Sequence, residues 1–353
     1  MLIKHDYSVG KKKLTMDESL SNDIIFLVWS RNGVRADSFS KYLRACLYFL
    51  FSSPLRHPIL IVTTINILRK ERPKVIICQS PPMTCALTAL VYRILFARRS
   101  RPKIILDAHR GAFYRPWSYI KFLSNFILRR ADLVLVEDVE IQNLVLDHYG
   151  IKSSILEDPI PELEDILYDY RNQNKICSNK SDVAKPFKVA VINPYTWDVP
   201  LRQIIEAAAA LVSIADFYLT GDIKNANTEL LKDRTNNIVL TGFLPAKEYI
   251  SLIVEADAIL ALVNDPLAMQ ASGYEAVAAE KILITSNHPP LKRYFTKGTI
   301  HVKNSAQDIK EAIIMARDKE DMLKKEMHEL RLEKQKEWQE KITNLLRTIN
   351  IEI

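Results

Sequence analysis

"KIILDAHRG", Lys103 to Gly111, sets three branched apolar residues in a row and then changes to Asp107, Ala108, His109, Arg110 and Gly111. An apolar run without alternation reads as a strand buried on both faces, which belongs to a parallel sheet covered by helices on either side. The polar residues then fall at the carboxyl end of the strand, where open parallel sheets hold their ligands. Asp107 and His109, two residues apart, lie on one face. Gly111 lets the following backbone approach a ligand.

The same rhythm recurs along the chain. Strands are expected in IIFLVWS (24–30), KVIICQS (74–80), KIILDAH (103–109), LVLVED (133–138) and SSILED (153–158). The pattern restarts with FKVAVIN (187–193), DFYLTG (216–221), NIVLTG (237–242), AILALV (258–263), KILITS (281–286) and TIHV (299–302). Between the two series lies "LYDYRNQNKICSNKSDVAKP", polar and without periodicity, which reads as a linker. The expected organisation is a membrane-facing α/β domain over 1–165, a linker over 166–186, a second α/β domain over 187–330 and a C-terminal helix over 331–353. At 353 residues, two cores are the ordinary solution.

Charge separates the halves. Residues 1–130 carry 23 Lys/Arg against 7 Asp/Glu, and the remainder 26 against 35. A basic half suits nucleic acid or an anionic membrane face. Its cations accompany apolar runs, "KYLRACLYFLFSSPLRHPILIVTTINILRK" and "VYRILFARRSRPK", too short or too broken to span a bilayer. An interfacial, membrane-touching surface is therefore expected and nucleic acid is not; buried helices with snorkelling cations are the alternative. The four cysteines, Cys46, Cys78, Cys85 and Cys177, form no C-x-x-C pair or zinc-spaced cluster, so no metal site is expected. With no apolar leader in the first residues, the expected location is the cytoplasm, on the inner face of the membrane.

Several candidate site residues follow from strand ends. His109 suits a sugar hydroxyl or a proton transfer, with Asp107 as its orienter. In "VWSRNGVRADSF", Arg31 and Arg35 flank Gly33 in a basic loop suited to a phosphate of donor or acceptor, or simply to water. In "MQASGYEAVAAEKILITSNHPPLKRYF", Met269 to Phe295, a polar turn from Gln270 to Gly273 opens a helix that carries Glu275. A helix amino end suits phosphate, and a carboxylate near it also complements the helix dipole. Position alone does not separate those roles.

That last stretch resembles the donor-binding segment of two-domain glycosyltransferases of the GT-B fold, in particular glycosyltransferase family four. There the pattern is roughly S-G-x-E-A-x-A-x-G-x-P-V-I-x-S. "FYLTGD" with Gly221 and "IVLTGFLP" with Gly242 resemble the two glycine turns of the donor domain, and "ILDAHRGAF" the strand whose His approaches the transferred sugar. "ADLVLVEDVEIQNLVLDHYGIKSSILEDPIP" resembles the end of the acceptor domain. The resemblance implies two Rossmann-like domains with parallel sheets facing a central cleft. It implies a nucleotide-sugar donor as substrate, no cofactor, and Glu275 accepting hydrogen bonds from the ribose. Ser272, Gly273, Gln270, Tyr274, Gly221, Gly242 and Phe243 would surround that donor, with Arg202 either near its diphosphate or simply exposed on its helix. The acceptor would be a lipid-linked, polyprenyl-type saccharide, the transferred group a hexose, and the product a cell-surface polysaccharide.

Two departures stand out. Ala268 lies seven residues before Glu275, where the family commonly has a first glutamate, with Asp265 and Gln270 nearby. Thr196, Trp197 and Asp198 stand where the family often has an Arg and a Lys. They leave retention or inversion open, and they keep a non-catalytic scaffold or binding protein as the alternative.

Overall fold

The structure, a computed structural model, describes residues 10–12, 23–29, 34–50, 57–114, 117–161, 185–192 and 195–348. The chain forms two α/β units: described residues 10–159 and 337–348 make the first, and 160–336 the second.

The first unit is built on strands β1 (Gly10–Lys12), β2 (Ile24–Val28), β3 (Cys46–Phe49), β4 (Val75–Ser80), β5 (Lys103–Ala108), β6 (Leu133–Val136) and β7 (Ser154–Ile155). They lie in the order β1-β3-β2-β4-β5-β6-β7, all parallel except the antiparallel edge strand β1. The connections are α1 (Val34–Tyr42), α2 (His57–Glu71), α3 (Met83–Leu95), α4 (Lys121–Arg130) and α5 (Val139–Tyr149). The path runs from β2 outward to β3 and then turns back to β4. Crossovers of one hand running in opposite directions cover opposite faces. Accordingly α1 packs with Ile24, Phe26 and Val28 on one face, and the helices from α2 to α5 pack with Ile25 and Leu27 on the other. The reversal leaves a switch point between the carboxyl ends of β2 and β4.

The second unit repeats the plan with β8 (Phe187–Ile192), β9 (Ala215–Thr220), β10 (Ile238–Gly242), β11 (Ala258–Ala261), β12 (Ile282–Ser286) and β13 (Thr299–Val302). The order is β10-β9-β8-β11-β12-β13, all parallel. Helices α6 (Leu201–Ala209) and α7 (Thr228–Lys232) cover one face. After the reversal at β8, α8 (Ala246–Glu255), α9 (Ala271–Ala278) and α10 (Pro289–Tyr294) cover the other. Helix α11 (Ala306–Asp318) returns to the face of α6, and α12 (Glu320–Thr348) ends the described chain.

The strands expected from apolar runs are present, though 153–158 contributes only the two residues of β7. Two strands were not expected, the antiparallel edge strand β1 and β3. "CLYF" in the first basic apolar run is β3, with Cys46, Leu47 and Tyr48 buried, so this part of the run is core rather than interfacial surface. The second part of that run forms α2, which does expose Ile59 and Val62. All of the expected linker except Lys185 and Pro186 lies outside the described residues.

The terminal helix begins at Glu320, not at 331, and serves both units in turn. Met327 and Leu330 are buried in the second. In the first, Ile342 and Leu346 are buried against Phe26 and Phe39, on the face of α1. Trp338 donates from Nε1 to Glu157 O at 3.0 Å and meets the Tyr42 ring edge-on at 5.1 Å. Lys341 Nζ reaches both Glu157 oxygens, at 2.6 and 2.7 Å. The tail therefore completes a core made mainly by residues more than 180 positions earlier.

Removing the Ile342 side chain leaves a cavity in that core, so Ile342→Ala should lower the stability of the first unit by about 2–4 kcal/mol. Urea unfolding followed by tryptophan fluorescence reads this, because Trp29, Trp117 and Trp338 belong to this unit. An unchanged midpoint would show that the tail is not part of the core.

Candidate functional site

The carboxyl edge of the first sheet gathers an ionised cluster. Asp107, the penultimate residue of β5, is buried, and its register partner on β4 is Gln79. Arg35, in the first turn of α1, is buried too and forks onto Asp107: Nε lies 3.1 Å from each oxygen and Nη2 donates to Oδ1 at 2.6 Å. Its Nη1 donates to Leu156 O and to Asp158 Oδ1, both at 2.9 Å. A planar guanidinium suits this task, since its fixed donors satisfy a carboxylate bidentately and still reach a second acceptor. The cation expected to hold a phosphate thus has its donors directed inward, and Arg31 and Gly33 lie outside the described residues.

His109 follows β5 directly, and its backbone N–H donates to Ser80 O at 2.8 Å. Its ring lies between two carboxylates: Nε2 is 3.3 Å from Asp107 Oδ2, and Nδ1 meets Glu137 Oε1. Burial by itself would lower the pKa of this imidazole, but Asp107 and Glu137 outweigh it and raise it from 6.5 to about 10. Burial likewise opposes ionisation of Asp107 and Glu137, yet Arg35 and His109 hold the first below the usual carboxylate range and His109 does so for the second. Burial wins at Asp158, whose carboxyl is raised despite Arg35.

An imidazolium has no acceptor. The Gln79 amide, 3.2 Å from Nε2, is therefore best satisfied with its carbonyl turned to the ring, which also gives the buried, partnerless Oε1 a donor. Asp107 and Arg35 form the floor. His109 and Glu137, with side chains 20% and 22% exposed, form the rim. Such a site offers hydroxyl groups the partly exposed Glu137 carboxylate, paired with the edge of the His109 ring. Its imidazolium stays protonated through neutral pH, accepts a proton poorly, and gives both N–H groups to carboxylates. Glu137, Asp158 and Gln79 were not among the expected site residues. Their ends of β6, β7 and β4 become neighbours of His109 only through the strand order.

In the second unit, Glu275 lies on α9 and is buried. Its Oε2 accepts from the Tyr249 hydroxyl at 2.5 Å, a bond that joins α8, the helix after the second glycine turn, to α9. Burial raises the pKa of Glu275, and burial with the nearby carboxylate raises that of Tyr249. Gln270, the residue before α9, donates from Nε2 to Leu262 O at 2.7 Å, and Ser272 Oγ lies 3.4 Å from Gln270 Oε1. Tyr274 packs its ring against Tyr294 and Phe295, with centroids 4.8 and 5.7 Å away. Gly273 is there for closeness: a Cβ at this position would sit 2.5 Å from Phe295 Cζ.

The two glycine turns are joined, Gly221 N donating to Gly242 O at 3.0 Å, while Phe243 beyond them is half exposed. Arg202 is exposed in the first turn of α6. The Asp265 carboxylate accepts from Leu267 N at 3.0 Å, within its own turn. Sequence reasoning missed a polar group beyond β11, β12 and β13. There Ser286 Oγ donates to Asn304 Oδ1 at 2.7 Å, while Asn304 Nδ2 and the His288 ring both approach Val263 O. Among the described residues no group of three His, Cys, Asp or Glu has a metal-holding arrangement.

Two measurements follow from this geometry. The His109 ring should remain doubly protonated from pH 6 to about pH 9 in nitrogen-detected NMR, and Glu137→Gln should move its titration downward. Because its folded pKa is raised, the stability it contributes is fully present below about 6.5 and is lost as pH rises towards 10. A wild-type ring that titrates near 6.5 would exclude the clamp. Separately, Gly273→Ala should cost about 1–3 kcal/mol through its clash with Phe295, read as a lower unfolding midpoint of the second unit; a neutral change would show that the ring yields.

No family model matches this chain, and no curated protein matches it in sequence. Solved structures do. HepE from Anabaena, in complex with UDP, is similar with a TM-score of 0.64 at 11% identity, over 91% of this chain and 100% of that one. A glycosyltransferase from Rickettsia africae gives 0.67 at 15% identity, over 93% and 99%. UDP-GlcNAc 2-epimerase from Neisseria meningitidis, bound to UDP-GlcNAc, gives 0.54 at 11% identity, over 86% and 93%. At these identities the likeness speaks for architecture alone, and the architecture is the GT-B fold, two Rossmann-like α/β units each built on a parallel sheet.

Proposed function

We propose that this protein is a glycosyltransferase that takes a sugar, a hexose in this reading, from a nucleotide-sugar donor and passes it to a lipid-linked saccharide. The step would belong to cell-surface polysaccharide assembly, on the cytoplasmic side of the membrane. The observation that carries the reading is Glu275, a buried carboxylate on α9 held by Tyr249. Its segment also has the order of residues found in GT-B donor sites. The complex of HepE with UDP, and that of the epimerase with UDP-GlcNAc, add support from the same fold.

In this reading the second unit holds the donor. Tyr249 engages Oε2 of Glu275 and leaves Oε1 to accept from a ribose hydroxyl. The amino end of α9 with Gln270, Ser272, Gly273 and Tyr274, the turns at Gly221 and Gly242, Phe243 and Arg202 complete the site. Backbone N–H groups and Arg202 meet the charge that develops on the leaving diphosphate. In the first unit a hydroxyl of the transferred sugar binds at the rim, taking the place of Glu137 on His109 Nδ1. Asp107 fixes the ring, and Arg35 fixes Asp107. No cofactor enters this reading; the nucleotide sugar is a substrate.

Ala268 and the Thr196–Asp198 stretch, in place of a glutamate and a basic pair, favour a second reading: a protein that keeps the fold and a ligand site without turnover. Both readings meet one test, thermal unfolding in the presence of UDP-, GDP-, ADP- and dTDP-sugars. A ligand at about one hundred times its Kd should stabilise the second unit by about 2.7 kcal/mol, and Glu275→Ala should lose that shift. If no nucleotide sugar stabilises the wild type, the transferase reading is wrong. An equal shift in Glu275→Ala removes Glu275 from the site, and a shift without sugar transfer to any lipid-linked saccharide supports the second reading.

A further inference from the structure

The large apolar side chains exposed in the first unit gather on one layer, the helices α2 to α5 and the segment leading into α4. Ile59 and Val62 stand out from α2, and Leu95 and Phe96 from the end of α3. Tyr119, just before α4, and Phe122, in its first turn, are 68% and 85% exposed. The face across the sheet is instead closed by α1 and the tail of α12. The stretch that supplies α2, α3 and α4, residues 57–130, carries 14 Lys/Arg and only two acids, Glu71 and Asp107. Asp107 is buried beneath Arg35, and Glu71 accepts from the Tyr48 hydroxyl at 2.8 Å.

Between α4 and α5 this layer has a cavity of about 320 Å³, lined by Lys121, Phe122, Asn125, Arg129, His148 and Tyr149. Arg129 is held in place, donating from Nε to Asn125 Oδ1 at 3.0 Å and from Nη2 to Tyr149 O at 3.2 Å. Lys121 Nζ lies 5.9 Å from the centre of the Tyr149 ring. Among the described residues neither Lys121 nor Arg129 is in an ion pair. A solvated charged face would pair such cations with acids. A face for nucleic acid would set its aromatic rings as stacking platforms along a groove. Here the most exposed ring of the layer, Phe122, lines a compact cationic cavity, and aliphatic Leu95, Ile59 and Val62 are exposed on α3 and α2 of the same layer. That combination is the chemistry of a surface lying on anionic lipid: apolar side chains for the acyl boundary and cations for phosphates. Among the described residues no helix is long and apolar enough to cross a membrane.

We infer that the α2–α5 layer of the first unit docks on an anionic phospholipid surface, with Phe122 and Tyr119 entering the acyl boundary and Lys121, Arg129 and His148 closing on a lipid phosphate. The inference deepens the membrane-bound acceptor of the proposed function and rests on that reading for its purpose, but it is measured without donor or acceptor.

The test is flotation of the full chain with vesicles of phosphatidylcholine alone, or with about one-third phosphatidylglycerol, at roughly 0.1 M salt. The wild type should bind the anionic vesicles about tenfold more strongly than the neutral ones, and Phe122→Asp and the pair Lys121→Glu/Arg129→Glu should each lose about tenfold. Lys232→Glu, an exposed change on the second unit, should bind as the wild type does. Phe122 is so exposed that its replacement leaves the fold intact, and Phe122→Ser checks the apolar contribution without adding charge. Equal binding to both vesicles, no binding to either, or full binding by Phe122→Asp would overturn the inference. So would a mixed-sequence RNA that displaces the wild type from vesicles and binds Phe122→Asp equally well. Loss of flotation in Phe122→Asp with its nucleotide-sugar shift intact supports docking as a separate property. No flotation of a wild type that still shows that shift defeats docking alone.

Discussion

The first unit depends on the grip of Arg35 on Asp107. One guanidinium satisfies the start of α1, the end of β5 and the segment after β7, through Asp107, Leu156 O and Asp158. Taking either charge out of water is costly, and a lone partner left behind would be destabilising by about 3–5 kcal/mol, so the two stand or fall together. The pair also sets the charge state of its surroundings. Arg35 keeps Asp107 ionised, the ionised Asp107 helps to keep His109 protonated, and the protonated His109 draws Glu137 into the carboxylate form. A site with proton-transfer residues is thus arranged as alternating fixed charges. Its chemistry is that of orientation and donation.

The second unit solves a different problem with less charge. Its central acid, Glu275, is held by one phenol, and burial outweighs that hydrogen bond and raises its pKa. The segment around it is fixed mainly by shape. Gly273 lets α9 approach Phe295, and Tyr274, Tyr294 and Phe295 meet edge to face beneath it. The same short stretch therefore serves packing at Gly273 and Tyr274 and polar chemistry at Gln270 and Glu275.

The fold was legible because buried parallel strands leave a mark in sequence: "KIILDA" and "KVIICQS" cannot alternate when both faces are covered. β3 escaped because its four apolar residues continue into the apolar stretch towards α2, and length alone does not separate a strand from a helix there. In the candidate site, His109 and Asp107 were legible as neighbours on one strand. Glu137 was not, because it is 28 residues away and comes to His109 only through the pairing of β5 with β6. Arg35 was read as a loop cation, for no local signal tells that its partners lie 72 and 123 positions ahead. The link of Tyr249 to Glu275 is hidden in the same way, across 26 residues and two helices.

The course of α12 bears on how the protein is made. The sheet of the first unit is synthesised first, yet Ile342 and Leu346, which complete one face of its core, follow the whole second unit in the chain. Domains generally fold in order of synthesis. Here part of the α1 face stays uncovered until the whole second unit has been made. A chain interrupted before Trp338 would lack the residues that close this face of the first core even though every described strand of both sheets is present.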